Sequence, residues 1–170
     1  MYIKHRSFVF LLIIFLITTT SSAQQVYHKD GKMLSVEDLV KHNNPEEAIQ
    51  KIDSLLEKTN KKDTESRLWL MLAKATVYDD NFEYEKSFSI LLKILDESLP
   101  EKLHRISCET YLKLASASNK SADFEEIEKY LAISEKYIIK YKFEDLYSQF
   151  YNEKSGIQRL RNQLDSTIIY

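Results

Sequence analysis

Ala48, Ser87, Ile127 and Thr167 stand at intervals of 39, 40 and 40 residues. This recurrence limits the fold more than any other feature of the chain. Three residues before them stand Pro45, Tyr84, Phe124 and Leu164. Four residues after the first three stand Ile52, Leu91 and Leu131, and seven after stand Leu55, Ile94 and Ser134. Offsets of three, four and seven share one face of a helix. A small or medium side chain lets a neighbouring helix approach, and a larger one a turn away fills the flanking groove. A unit of this length cannot bury its own apolar face, so successive units must stack.

The intervening residues fit helices joined by short polar links. With only 2 Gly and 2 Pro in 170 residues, β-hairpin turns are scarce. No segment sustains a period of two, which excludes a sheet. Ser35 caps a short helix over Val36–Val40, closed by Asn43-Asn44. Pro45, Glu46 and Glu47 open a second helix whose stripe is Ala48, Ile49, Ile52, Leu55 and Leu56. A third runs through Leu68, Trp69, Leu72, Ala73 and Val77 and is broken by Asp79-Asp80-Asn81. A fourth carries Phe82, Tyr84, Phe88, Leu91, Leu95 and Leu99, with Pro100 at its end. Leu103, Ile106, Tyr111, Leu114 and Ala115 mark a fifth, and Phe124, Ile127, Leu131 and Ile138 a sixth. After a joint at Tyr141–Asp145, Leu146, Phe150 and Tyr151 begin a seventh. Asn162–Leu164 then leads into an eighth.

The odd-numbered helices repeat in their own way: Trp69-x-x-Leu72-Ala73 matches Tyr111-x-x-Leu114-Ala115. On these residues the chain resembles the tetratricopeptide repeat family, whose first helix carries aromatic-x-x-Leu-small and whose second opens aromatic-x-x-Ala. Pro45-Glu46-Glu47-Ala48-Ile49 and Leu164-Asp165-Ser166-Thr167-Ile168 look like such openings. The resemblance covers residues 35–170. It implies an all-α, right-handed α-solenoid of antiparallel hairpins, about three and a half repeats long, with a protein or peptide in its concave groove. The period of about 40 exceeds the family's ~34, and Ser118 stands where an aromatic is expected. Other α-solenoids, with periods of ~40–47, and an irregular helical bundle remain alternatives.

The N-terminus differs from the rest. Lys4 and Arg6 precede the apolar run Ser7–Ile17, and Ser21-Ser22-Ala23 has the small residues of a cleavage site. This three-part pattern is that of a signal peptide over residues 1–23, followed by a flexible leader over 24–34 and the repeats over 35–170. The run is shorter than the ~20 residues of a membrane span, so contact with a membrane requires an uncleaved segment or a longer chain. Export to the periplasm or medium follows. The mature chain carries 22 basic and 26 acidic residues, a net charge of −4, which gives no reason to expect nucleic acid. Ile168, Ile169 and Tyr170 fall inside the expected second helix of a fourth hairpin, without the polar cap a solenoid needs. The chain is therefore expected to continue or to stop short. Similar exported arrays form the N-terminal sensory regions of bacterial regulators, which gives a second functional expectation, and a homodimer through the open end is a further one.

No chemistry-bearing motif appears. His104 and Cys108, at i and i+4, are two metal ligands with no third nearby, and Cys108 reads as a buried small residue. Glycine only at 31 and 156 makes a phosphate loop hard to build. Adjacent acids at Asp79-Asp80 and Glu125-Glu126 point about 100° apart on a helix and read as dipole capping. Tyr130, Tyr137, Tyr141, Tyr147 and Tyr151 are either a recognition surface or packing. The expectation is a non-catalytic binding scaffold without cofactor or metal. Replacing Ala73 or Ala115 with Leu should overpack a helix crossing and cost ~1–3 kcal/mol, read as a lower melting temperature.

Overall fold

The computed structural model of the protein describes the backbone of residues 44–119 and 124–168, and side chains over 44–118 and 124–162. The signal segment, the leader and the short helix expected after Ser35 lie outside the described residues, as do the side chains of Leu164 and Thr167. Six α-helices follow one another: α1 (Pro45–Lys58), α2 (Thr64–Asp80), α3 (Tyr84–Ser98), α4 (His104–Asn119), α5 (Phe124–Tyr141) and α6 (Tyr147–Ile168). A 3-10 turn over Glu144–Leu146 precedes α6, and no strand occurs among the described residues. The described residues are thus all-α.

Local chemistry sets the helix starts. The Asn44 side chain accepts from the Glu46 amide at 2.8 Å, ahead of Pro45 in the first turn. The Asp63 carboxylate accepts from the Ser66 amide at 3.1 Å and caps α2. The stops are less usual. Phe82, Lys102 and Lys142 have φ of 62°, 56° and 56°. Glu83 N donates to Tyr78 O at 2.8 Å, Leu103 N to Ser98 O at 3.0 Å, and Phe143 N to Ile138 O at 3.1 Å. These are the six-to-one bonds of Schellman caps, formed without the glycine that normally takes the left-handed position. Phe82, expected on the fourth helix, is instead this cap residue and is 77% exposed.

Packing follows chain order. Each helix lies against the next, α2 also packs on α4, and α4 on α6, whereas α3 and α5 make no comparable contact. The helices that follow the inter-hairpin turns keep one period: α2 begins at 64, α4 at 104, and the 3-10 turn leading into α6 at 144. Ala48, Ser87 and Ile127 are each the fourth residue of their helix and are buried; Ile52, Leu91 and Leu131, at the eighth position, are buried too. Tyr84 and Phe124 open α3 and α5, half-buried.

The helices α2 and α4 align differently from the sequence match. Trp69 is the sixth residue of α2, whereas Tyr111 is the eighth of α4. Counting from the helix starts, the counterpart of Tyr111 is Met71, that of Leu112 is Leu72, and that of Ala115 is Ala75. All of these but Tyr111 are buried, and Tyr111 is half-buried. Trp69 corresponds instead to Glu109. The 42-residue offset is thus two residues too long. Burial on several sides gives α2 and α4 little contrast between faces, and two unrelated aromatics fixed the wrong register.

The expected break before Leu164 does not form either. α6 continues through Asn162 to Ile168, so Leu164 and Thr167 sit late in one long helix and do not open a second. Arg161, Gln163 and Leu164 are good helix formers, and Asn162 alone does not stop the run. α6 docks through Leu146 at its entry and through Phe150 and Ile157, all buried. Where α2 and α4 place Leu68 and Cys108, Leu72 and Leu112, or Ala75 and Ala115, α6 exposes Ser148, Asn152 and Ser155.

The core joins Leu68, Leu72, Leu91, Ile94, Ile106, Leu112, Leu114, Ile127, Leu131 and Ile138 with Phe150. Each such side chain contributes about 1.5–3 kcal/mol on burial, and isolated helices of this length are marginal in water. Buried hydroxyls mark the crossings. Ser98 and Ser107 bond across α3 and α4 at 2.9 Å, while Thr110 donates to Ile106 O at 2.7 Å and Ser134 to Leu131 O at 2.8 Å. These short side chains admit close approach without an unpaired polar group. Lys102→Gly and Lys142→Gly should each raise stability by roughly 0.5–1 kcal/mol, since glycine removes the left-handed strain. Denaturant melts would read the gain, and a loss in both would contradict the cap geometry.

Candidate binding surface

The spacing of 40 has a direct physical counterpart. Arg105 in the first turn of α4 reaches Asp145 in the turn before α6, with Nη1 donating to Oδ1 at 2.9 Å and Nη2 to Oδ2 at 2.6 Å. One pair of positions 40 residues apart is thus in direct contact. The same spacing of 40 relates three further sets of positions on α2, α4 and α6: Trp69, Glu109 and Gln149; Ala73, Lys113 and Glu153; Thr76, Ser116 and Gly156. All are half-exposed except Ala73, which is 9% exposed. The third set is small in every helix.

Arg105 organises the charge there. Its Nε donates to Glu109 Oε1 at 2.5 Å while its other nitrogens hold Asp145, and its guanidinium lies 5.3 Å from the Phe143 ring centroid. Two carboxylates around it raise its pKa, so it stays charged. Glu109 behaves differently. Burial pushes its pKa above the usual 4.5, more than the Arg105 hydrogen bond and charge pull it down.

A second surface lies on the opposite side of α4. His104 stacks on Tyr141 at 4.1 Å between centroids, Tyr141 contacts Tyr137 at 5.6 Å and Phe143 at 5.8 Å, and Tyr111 contacts Tyr137 at 6.0 Å and Tyr130 at 6.1 Å. Tyr130 donates to Glu126 at 3.0 Å. Desolvation raises the phenol pKa of Tyr111 and Tyr137. The tyrosines grouped in sequence thus split. Tyr130, Tyr137 and Tyr141 join this row, while Tyr147 and Tyr151 stack on each other at 5.9 Å on α6.

The remaining sequence positions serve the packing. Leu72, Leu114 and Ala115 are core residues, with Ala48, Ser87, Leu91, Ile127 and Leu131. Cys108 is fully buried, its thiol donates to Ser134 O at 3.6 Å, and burial pushes its pKa up to about 12. It remains a neutral thiol, and its His104 neighbour is held by Tyr141. Among the described residues no group of three or more His, Cys, Asp or Glu side chains could hold a metal ion, and no helix is long and apolar enough to cross a membrane. The chain matches no protein-family model, no curated protein and no solved structure.

Arg105, Glu109 and Asp145 were not singled out in the sequence. The signal was there in the spacing of Arg105 and Asp145, which equals the repeat. Glu109 binds more protons folded than unfolded between its ordinary pKa and its raised one. Its ionisation therefore opposes folding progressively as pH rises above about 4.5. Glu109→Gln should melt no lower than the parent at pH 7 and should lose any advantage as pH falls toward 4. Melting curves across that range would check the sign.

Proposed function

We propose that the protein is an exported, non-catalytic scaffold of tetratricopeptide-like hairpins that binds a peptide or protein segment on the face shared by α2, α4 and α6. The observation that carries this reading is the side-by-side placement of residues 40 apart, with Arg105 holding Asp145. Direct packing of α2 on α4 and of α4 on α6, without comparable packing of α3 on α5, favours an array that curves with α2, α4 and α6 inside. Half-buried polar side chains over a small-residue row give such a surface both hydrogen-bonding groups and clearance. The signal pattern of residues 1–23 supports export. The aromatic row on the other side of α4 is the weaker candidate, because its rings already cover one another.

A photo-crosslinking amino acid tests this reading. Placed at Gln149, on the inner face, it should trap a discrete partner in cells. Placed at Lys93, exposed on α3, it should not. Equal trapping at both positions, or none at Gln149, would refute the assignment of the surface.

A further inference from the structure

The turns that follow α1, α3 and α5 lie at one end of the molecule. Arg67, in the first turn of α2, reaches Glu97, near the end of α3, at 3.6 Å. His104, which opens α4, stacks on Tyr141, which ends α5, and the Arg105 guanidinium lies over the Phe143 ring. One place in each turn is a lysine, at the 40-residue spacing: Lys62, Lys102 and Lys142. All three are exposed, as are Lys58, Lys61 and Lys140 beside them. Exposed acids stand in and next to the turns at Glu57, Glu65, Glu101 and Glu144, but no acid recurs in all three. The opposite end is acidic. Glu46 and Glu47 open α1, Glu85 lies in the first turn of α3, and Glu125 and Glu126 lie in that of α5.

Lysine is a strained choice at two of the three places. Lys102 and Lys142 each hold φ at 56°, where glycine would fit freely. Helix dipoles do not explain it, because each lysine lies between the C-terminus of one helix and the N-terminus of the next, where the two fields oppose. Strain kept at an exposed side chain points to a use for that side chain. Three residues before each of these lysines an aliphatic side chain stands in water: Leu99 is 42% exposed and Ile139 is 63% exposed. Lysines and bare aliphatic side chains on one edge match a layer of anionic headgroups over hydrocarbon.

We propose that this end of the molecule binds the surface of a bilayer that contains anionic phospholipid. Lys62, Lys102 and Lys142 meet the headgroup phosphates, and Leu99 and Ile139 enter the layer beneath them. The contact is peripheral and needs no spanning helix. A soluble polyanion would satisfy the lysines but leave Leu99 and Ile139 in water, which selects the bilayer as occupant. The peptide-binding face proposed on α2, α4 and α6 takes no part in this contact, so either assignment can fail without the other.

Protein recovered from cells that express the whole chain would be sedimented with vesicles of phosphatidylcholine, alone or mixed with phosphatidylglycerol. Binding should require phosphatidylglycerol and weaken with added salt. Lys102→Gly and Lys142→Gly should each weaken it about fivefold. Both substitutions should themselves stabilise the fold, so unfolding would not account for the loss. Leu99→Ser with Ile139→Ser should weaken vesicle binding severalfold, whereas Phe82→Ser, at the acidic end, should leave it unchanged. Equal binding to both kinds of vesicle, or to neither, overturns the proposal, and so does undiminished binding by the two glycine variants. If Lys93→Gln, on the outside of α3, weakens binding as much as Lys102→Gln, only net charge is being read and the turns are the wrong site. If polyglutamate displaces the vesicles and the Leu99 and Ile139 variants bind as the parent does, the occupant is an acidic polypeptide and the bilayer assignment falls.

Discussion

The structure depends on the burial of α4 from nearly every side. α3 and α5 flank it as chain neighbours, and α2 and α6 press on it from the preceding and following units. Ile106, Cys108, Thr110, Leu112, Leu114 and Ala115 are all within 1% of complete burial although they point in different directions around the helix. A helix so enclosed cannot be stable alone, and neither can its neighbours, whose apolar stripes close only against it. It also limits side-chain size. Ser107, Cys108, Thr110, Ala115, Ala117 and Ser118 occupy positions where a longer side chain would push a neighbour away. The hydroxyl of Thr110, turned back to its own helix backbone, and the shared bond between Ser98 and Ser107 let these small polar residues sit in a dry interior.

That enclosure explains what could be read from the sequence. The helices α1, α3 and α5 each keep an outer side in water, so their apolar residues fall into a stripe. The row of Ala48, Ser87 and Ile127 could be found from spacing alone. For α2 and α4 the stripe is replaced by apolar or small residues nearly all round, and periodicity no longer fixes a register. Trp69 and Tyr111 then looked equivalent because both are aromatic. In fact Trp69 is the sixth residue of its helix and Tyr111 the eighth of its own, where it joins the ring cluster with Tyr137. The end of the chain misled for a different reason. Leu164 and Thr167 continue the numerical spacing, but nothing before them breaks a helix. A turn in this protein needs either a side-chain cap like Asp63 or a residue that accepts a left-handed backbone, as Lys102 does.

The candidate surface was less legible than the fold. No motif marks it, because its chemistry comes from helices 40 residues apart and from side chains common on any exposed helix. Arg105 and Glu109 alone read as an ordinary pair one turn apart, worth little on a surface. Only the arrival of Asp145 from the next unit turns that pair into a shared cation, and only partial burial makes the sharing costly for Glu109.

The two sides of α4 can be ranked by what their side chains still have to give. In the row from Tyr130 through Tyr111 and Tyr137 to Tyr141 and His104, each ring lies about 4–6 Å from another. Aromatic pairs at this range contribute about 0.5–1.5 kcal/mol beyond their burial. A ligand entering the row would have to replace those contacts before gaining its own. The opposite side is held by ion pairs in place of stacked rings, with Arg105 bonded to Glu109 and Asp145. Trp69 is partly buried against the core, Thr76, Ser116 and Gly156 present little side-chain bulk, and burial raises the pKa of Glu109 despite its bond to Arg105. This difference is what favours the proposed surface on α2, α4 and α6 over the aromatic side, although composition alone points to the tyrosines.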